Sequence, residues 1–209
     1  MNPTKGSYWT PRRFWVAIIL GAMILRGFLF ADLSAKHLLA RESPGDDAHT
    51  FRNWARIMAD EGRWLSDFSP NHVGSNPPVA HAPFHQTPLY PYLLAAGARL
   101  MGWQLSSSQS IPSIVIMQMI LGLALAYPVY RIALLLGGGR LARGCVVAYL
   151  LCDVALYYQT VVLREFILMI VNTCVVWALL EYMETRRMRW AVLLGAFLGL
   201  SILGKPTLL

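Results

Sequence analysis

The chain has 209 residues, 56% of them hydrophobic and only 14% charged. Soluble domains carry about a quarter charged residues, so an ordinary soluble fold is excluded once the apolar residues prove to be gathered in long blocks. The formal net charge of +7 sits in Lys and Arg clusters that flank those blocks, and it gives no ground for a nucleic-acid partner.

Four blocks stand out: Phe14 to Leu33, Ile111 to Tyr130, Cys145 to Leu180 and Trp190 to Leu209. About 20 apolar residues cross the roughly 30 Å of hydrocarbon in a bilayer. The third block is too long for one crossing, since as a single helix it would measure about 54 Å. It reads as two helices, with Gln159, Thr160, Arg164 and Glu165 marking the turn. The expected fold is an all-α, polytopic membrane bundle of about five spans. The first span covers 14–33, a long outer loop covers 34–110, and four further spans fill 111–209.

The first block resembles an anchor more than a cleaved leader. Its apolar stretch exceeds the usual 7–15 residues, and Leu33 lies three residues before the best candidate cut. Cys145, Cys152 and Cys174 all fall inside spans and read as free thiols acting as small apolar side chains.

Cytoplasmic loops near spans are rich in Lys and Arg. Lys5, Arg12 and Arg13 precede the first span, Arg131, Arg140 and Arg143 follow the second, and Arg186, Arg187 and Arg189 separate the last two. Placing all three groups inside makes the spans alternate consistently. The 34–110 loop and the turn near Glu165 then face outward.

That loop is too long to be a mere connector. After the turn signal Ser43-Pro44-Gly45, residues Phe51, Trp54, Ala55 and Met58 recur at helical spacing. Asp47 is placed to cap this helix and Gly62 to end it. A Gly/Pro/Asn stretch from Ser69 to Pro78 reads as irregular. Pro88 and Pro91 then suit the start of a second helix, whose apolar run to Gly102 is short for a crossing. Both helices are expected to lie along the membrane surface.

Arg26 lies about 18 Å into the first span at 1.5 Å per residue. A charge at that depth usually faces a functional interior, and an acid such as Glu165 is its expected partner. Snorkelling to the surface is the plainer alternative for Arg26 and for Lys205. The histidines His37, His49, His72, His81 and His85 lie just before or along the loop. His81 and His85 are four apart, but Pro83 between them breaks the helix that a shared metal would need. No metal or cofactor is expected.

Three segments carry a resemblance. Asp47, Phe51, Ala55, Met58, Gly62 and Trp64 fill the pattern D-x-x-x-[YF]-x-x-x-[AS]-x-x-[MIL]-x-x-x-G-x-W in register. Thr87-Pro88-Leu89-Tyr90-Pro91-Tyr92-Leu93-Leu94-Ala95 matches P-P-L-Y-x-x-L-L-A except at its first residue. Gly195, Gly199, Leu200, Leu203, Lys205 and Pro206 match G-x-x-x-G-L-x-x-L-x-[RK]-P. Together they make the chain resemble the N-terminal part of a family 39-type glycosyltransferase of the GT-C superfamily, relatives of which include the protein O-mannosyltransferases and the lipid A aminoarabinose transferases.

The resemblance implies an enzyme of the plasma or inner membrane with an active site facing outward. It would move a sugar from a polyprenyl-phosphate donor to a lipid, glycan or protein acceptor, with inversion. Asp47 falls on the family's catalytic Asp. Ala48 replaces the second acid of the common Asp-Glu pair, with Asp46 standing on the other side. The expected groups at the carrier phosphate are Arg26, Glu165, Lys205, His85 and Gln86. Gln86 occupies a position where many relatives have Lys. Family members have more spans than these five, so the chain reads as a fragment of a longer enzyme. Two rival classes are a transporter or flippase of lipid-linked sugars and a non-catalytic membrane scaffold. Transporters often carry internal repeats, and this sequence shows none.

Overall fold

A computed structural model describes residues 11–36, 38–39, 47–60, 62, 89–105 and 110–204. Trp64, Asp46, His85, Gln86 and Lys205 lie outside the described residues. Within them every regular element is a helix, with no strand. The helices are α1 Pro11–Ala35, α2 Asp47–Asp60, α3 Leu89–Met101, α4 Ser110–Ala124, α5 Ala126–Leu151, α6 Asp153–Thr160, α7 Arg164–Thr185 and α8 Met188–Gly204. Pro11–Ala35, the Ser110–Leu151 stretch and Arg164–Thr185 contain helices long and apolar enough to cross a membrane, while Met188–Gly204 is a shorter apolar helix. The protein is an integral membrane protein, and its large exposed side chains, such as Leu20, Ile24 and Phe28 on α1, are what a lipid-facing surface requires.

The Ser110–Leu151 stretch has 42 residues. Straight, it would be about 63 Å long, twice the hydrocarbon thickness. It is not straight. Gly138 has φ 82° and ψ −176°, a backbone open to glycine and strained for any other residue. The chain turns back there. The Tyr149 hydroxyl donates to the carbonyl of Gly122 at 2.7 Å, and Ala126 meets Val146 and Leu150 around Ala22 of α1. The turn therefore needs only a few residues around Gly138, where the sequence suggested a loop from Arg131 to the next apolar block. The helix runs past Arg131 because that guanidinium has a partner: its Nε donates to Glu181 of α7 at 2.7 Å.

Two further interruptions have local causes. Pro128 has no N–H for the carbonyl four residues back, and α4 and α5 divide at Leu125. Between α6 and α7 the backbone is extended at Val161 and Leu163, between the polar pairs that mark a turn in the sequence. This break is not out in water: Gln159, Val162 and Phe166 are all buried.

Helices α2 and α3 pack on each other and on the end of α4 and α7. Phe51, Ala55 and Met58 of α2 join Tyr90, Leu94 and Ala98 of α3, Ile114 and Val115 of α4 and Phe166 of α7 in one core. Phe51 and Tyr90 meet edge to face, with ring centroids 5.4 Å apart, a preferred aromatic geometry. Helix α3 ends as its sequence expects: Gly102 is left-handed at φ 68°, and the Trp103 N–H donates to the Ala98 carbonyl at 2.8 Å, the 6→1 bond of a Schellman stop. At 13 residues α3 is about 20 Å long, short of a full crossing. Arg99 ties it to α2 by donating to the carbonyl of Met58 at 2.7 Å, one of the end carbonyls that a helix leaves unsatisfied.

Candidate functional site

The α6–α7 break leaves backbone carbonyls without helical partners. Inside an apolar bundle each such group is costly, and another helix must supply a donor. Gln118 of α4 does so. Its Nε2 donates to the carbonyls of Val161 at 2.9 Å and Tyr158 at 3.1 Å, and its Oε1 accepts from the Tyr90 hydroxyl of α3 at 3.3 Å. Gln118 is 0% exposed, so one amide joins α3, α4 and the break.

One turn further along α4, on the same face, stands Gly122. A Cβ there would collide with the amide of Gln159, to which its three nearest atoms would all belong. The missing side chain is what lets Gln159 enter. Gln159 in turn accepts a hydrogen bond from Arg26 Nε at 2.9 Å, and Arg26 Nη1 donates to the carbonyl of Ala22 at 3.3 Å. Arg26 is 3% exposed and Gln159 0%. Two donors of this pair, Arg26 Nη2 and Gln159 Nε2, are buried with no hydrogen-bond partner.

The partner of Arg26 is thus Gln159, and Glu165, the acid the sequence suggested, is engaged elsewhere. Glu165 opens α7 with its Oε1 3.3 Å from Arg164 Nε, both side chains partly exposed. Chain separation is the reason: Arg26 and Gln159 are brought together only when α1 packs beside α4 and α6. Snorkelling does not describe Arg26 either, since its head is buried among helices.

Asp47 is the first residue of α2 and is exposed. An acid at that end is favoured by the helix dipole. One turn on, Phe51 points into the core, so α2 is fixed in place by its apolar face. The opposite face of α2 carries His49, Arg52, Asn53 and Arg56, which with Leu105 line a cavity of about 330 Å³. Among the described residues no group of three His, Cys, Asp or Glu side chains could hold a metal ion.

Two residues of this region carried no functional weight in the sequence. In the sequence Gln159 only marks a turn, and Gln118 lies within the apolar block Ile111 to Tyr130. The signal for Gln118 was present, because a buried amide in a membrane span needs partners.

A family model described as dolichyl-phosphate-mannose-protein mannosyltransferase matches residues 85–209, which is more than half of the chain. The matched segment takes in α3 to α8, with Gln118, Gln159 and Glu165, and leaves α1 and α2 with Arg26 and Asp47 before it. Neither the curated proteins nor the solved structures offer a significant match. On the strength of the family match, joined to the apolar helical bundle, the chain belongs to the dolichyl-phosphate-mannose-protein mannosyltransferase family and is a membrane glycosyltransferase of the GT-C type.

Proposed function

We propose that the protein transfers a hexosyl or pentosyl group from a polyprenyl-phosphate donor to a lipid, glycan or protein acceptor, with inversion, on the outer face of the plasma or inner membrane. The family match over residues 85–209 carries this reading, because the matched family is described by a polyprenyl-type phosphate sugar. The chemistry asks for a carboxylate to take the acceptor's proton and for cations or donors at the leaving phosphate. Asp47 is the base, with Asp46 beside it. Arg26, Lys205, His85, Gln86 and Glu165 are the candidates around the phosphate. No metal or cofactor enters this scheme.

The donor class is tested by incubating membranes that contain the intact protein with a radiolabelled sugar on polyprenyl phosphate or on a nucleotide. Label should pass to acceptor from the lipid-linked donor alone. Transfer from the nucleotide sugar in the absence of polyprenyl phosphate would sink the reading, and movement of the lipid-linked sugar across the membrane without transfer would favour a flippase.

The sidedness rests on the distribution of Lys and Arg. In a background free of the native cysteines, a cysteine at Ser75 should react with an impermeant maleimide added outside intact cells. One at Arg140, which is exposed near the Gly138 turn, should react only after the cells are opened. The reverse pattern would place the proposed site on the cytoplasmic side.

A further inference from the structure

We infer that Arg26 and Gln159 form a site for the phosphate oxyanion of a polyprenyl phosphate, with Gln159 as a binding residue. The inference rests on the donor class proposed above and names the atoms that hold its phosphate.

Three observations carry it. Arg26 is buried and makes no ion pair among the described residues, while Glu165, the acid expected to pair with it, sits against Arg164. An uncompensated buried guanidinium costs several kcal/mol, so an anion is the chemistry that it demands. Next, both unpartnered atoms at the site, Arg26 Nη2 and Gln159 Nε2, are donors, and they belong to side chains already joined by a hydrogen bond. Neutral acceptors would satisfy the amide, but a negatively charged oxygen answers both at once, through charge-assisted bonds. Finally, the site is built. Gly122 clears the space for the Gln159 amide, Gln118 holds the backbone on either side of it, and Ala22 accepts from the other end of the guanidinium. Gln159 is the next-to-last residue of α6. Under the proposed orientation α6 runs outward, so Gln159 lies toward the outer half of the bundle, and a lipid phosphate would have to enter between the helices to reach it.

A glutamine at this position is itself informative. A carboxylate would pair with Arg26 bidentately and neutralise it. Glutamine takes one hydrogen bond from Arg26, leaves the positive charge in place and adds a donor.

Gln159→Glu separates the proposal from a purely structural role. A structural Arg26–Gln159 contact would be strengthened by the substitution, whereas a phosphate site would be filled and made repulsive. Binding of a fluorescent polyprenyl phosphate to the intact protein in nanodiscs would be measured beside the thermal midpoint, with phosphatidylglycerol as competitor. Gln159→Glu should bind the probe about tenfold more weakly or worse, the scale of one lost bond to a charged group, with no loss of thermal stability. Gln159→Met, which removes the donor without adding charge, should also weaken the probe, so the test holds if the Glu variant folds poorly. Unchanged affinity in both variants would overturn the site and leave the donor class standing. Equal competition by phosphatidylglycerol would assign the site to bilayer lipid and overturn the link to the donor. If the wild-type protein binds no polyprenyl phosphate, the site and the proposed donor both fall.

Discussion

Asp47→Asn should lower sugar transfer by about 10²–10⁴-fold, the usual contribution of a positioned general base, while the protein still inserts and folds. Asp47 opens α2, and asparagine serves at a helix start about as well as aspartate. The apolar face that docks α2, with Phe51, Ala55 and Met58, is untouched. What disappears is the ability to accept a proton. Turnover of a polyprenyl-linked donor would be followed in membranes at matched protein levels. A variant that turns over near the wild-type rate would remove Asp47 from the chemistry and leave it a helix-end acid only. Because Asp47 precedes the family-matched segment, this experiment bears on the part of the chain where the assignment stands on the residue pattern.

Arg131→Ala should destabilise the folded bundle by about 3–5 kcal/mol, the cost of stranding one member of a buried pair. Glu181 is 4% exposed and receives both the Arg131 guanidinium and the Trp177 indole N–H, the latter at 3.2 Å. Without Arg131 its carboxylate stays buried with only the indole donor. The Arg131 side chain is 31% exposed, so water can enter on its removal, and the lower end of the range is expected. The contact joins the first leg of the α4–α5 hairpin to α7, so its loss should appear as a lower midpoint in detergent unfolding. A paired Arg131→Met, Glu181→Leu variant removes both charges and should recover most of the loss. If the single variant unfolds at the wild-type midpoint, the ion pair contributes nothing to holding these helices together.

Much of this molecule follows from sequence alone, for reasons that are local. Apolar blocks in a bilayer must be helical because backbone groups there need partners within the segment, and that dictated the all-α membrane class. The register of Phe51, Ala55 and Met58 fixed the buried face of α2, and a glycine at 102 stopped α3. The polar residues around 159–165 marked a real interruption in an apolar run, and the quoted motifs led to the family. Tertiary structure decided what depends on segments far apart in the chain. Periodicity cannot separate Gly138, with its positive φ, from the glycines on either side, so the reversal came out broader in the sequence than in the fold. Arg131 looked like the end of a span because its partner, Glu181, lies 50 residues away. Arg26 called for a carboxylate on charge alone, yet packing delivered Gln159, 133 residues away. Gln118 had no visible task until the α6–α7 break left carbonyls that only a neighbouring helix could reach. In each case a buried polar group must find its partner inside the protein, and which partner it finds is set by helix packing.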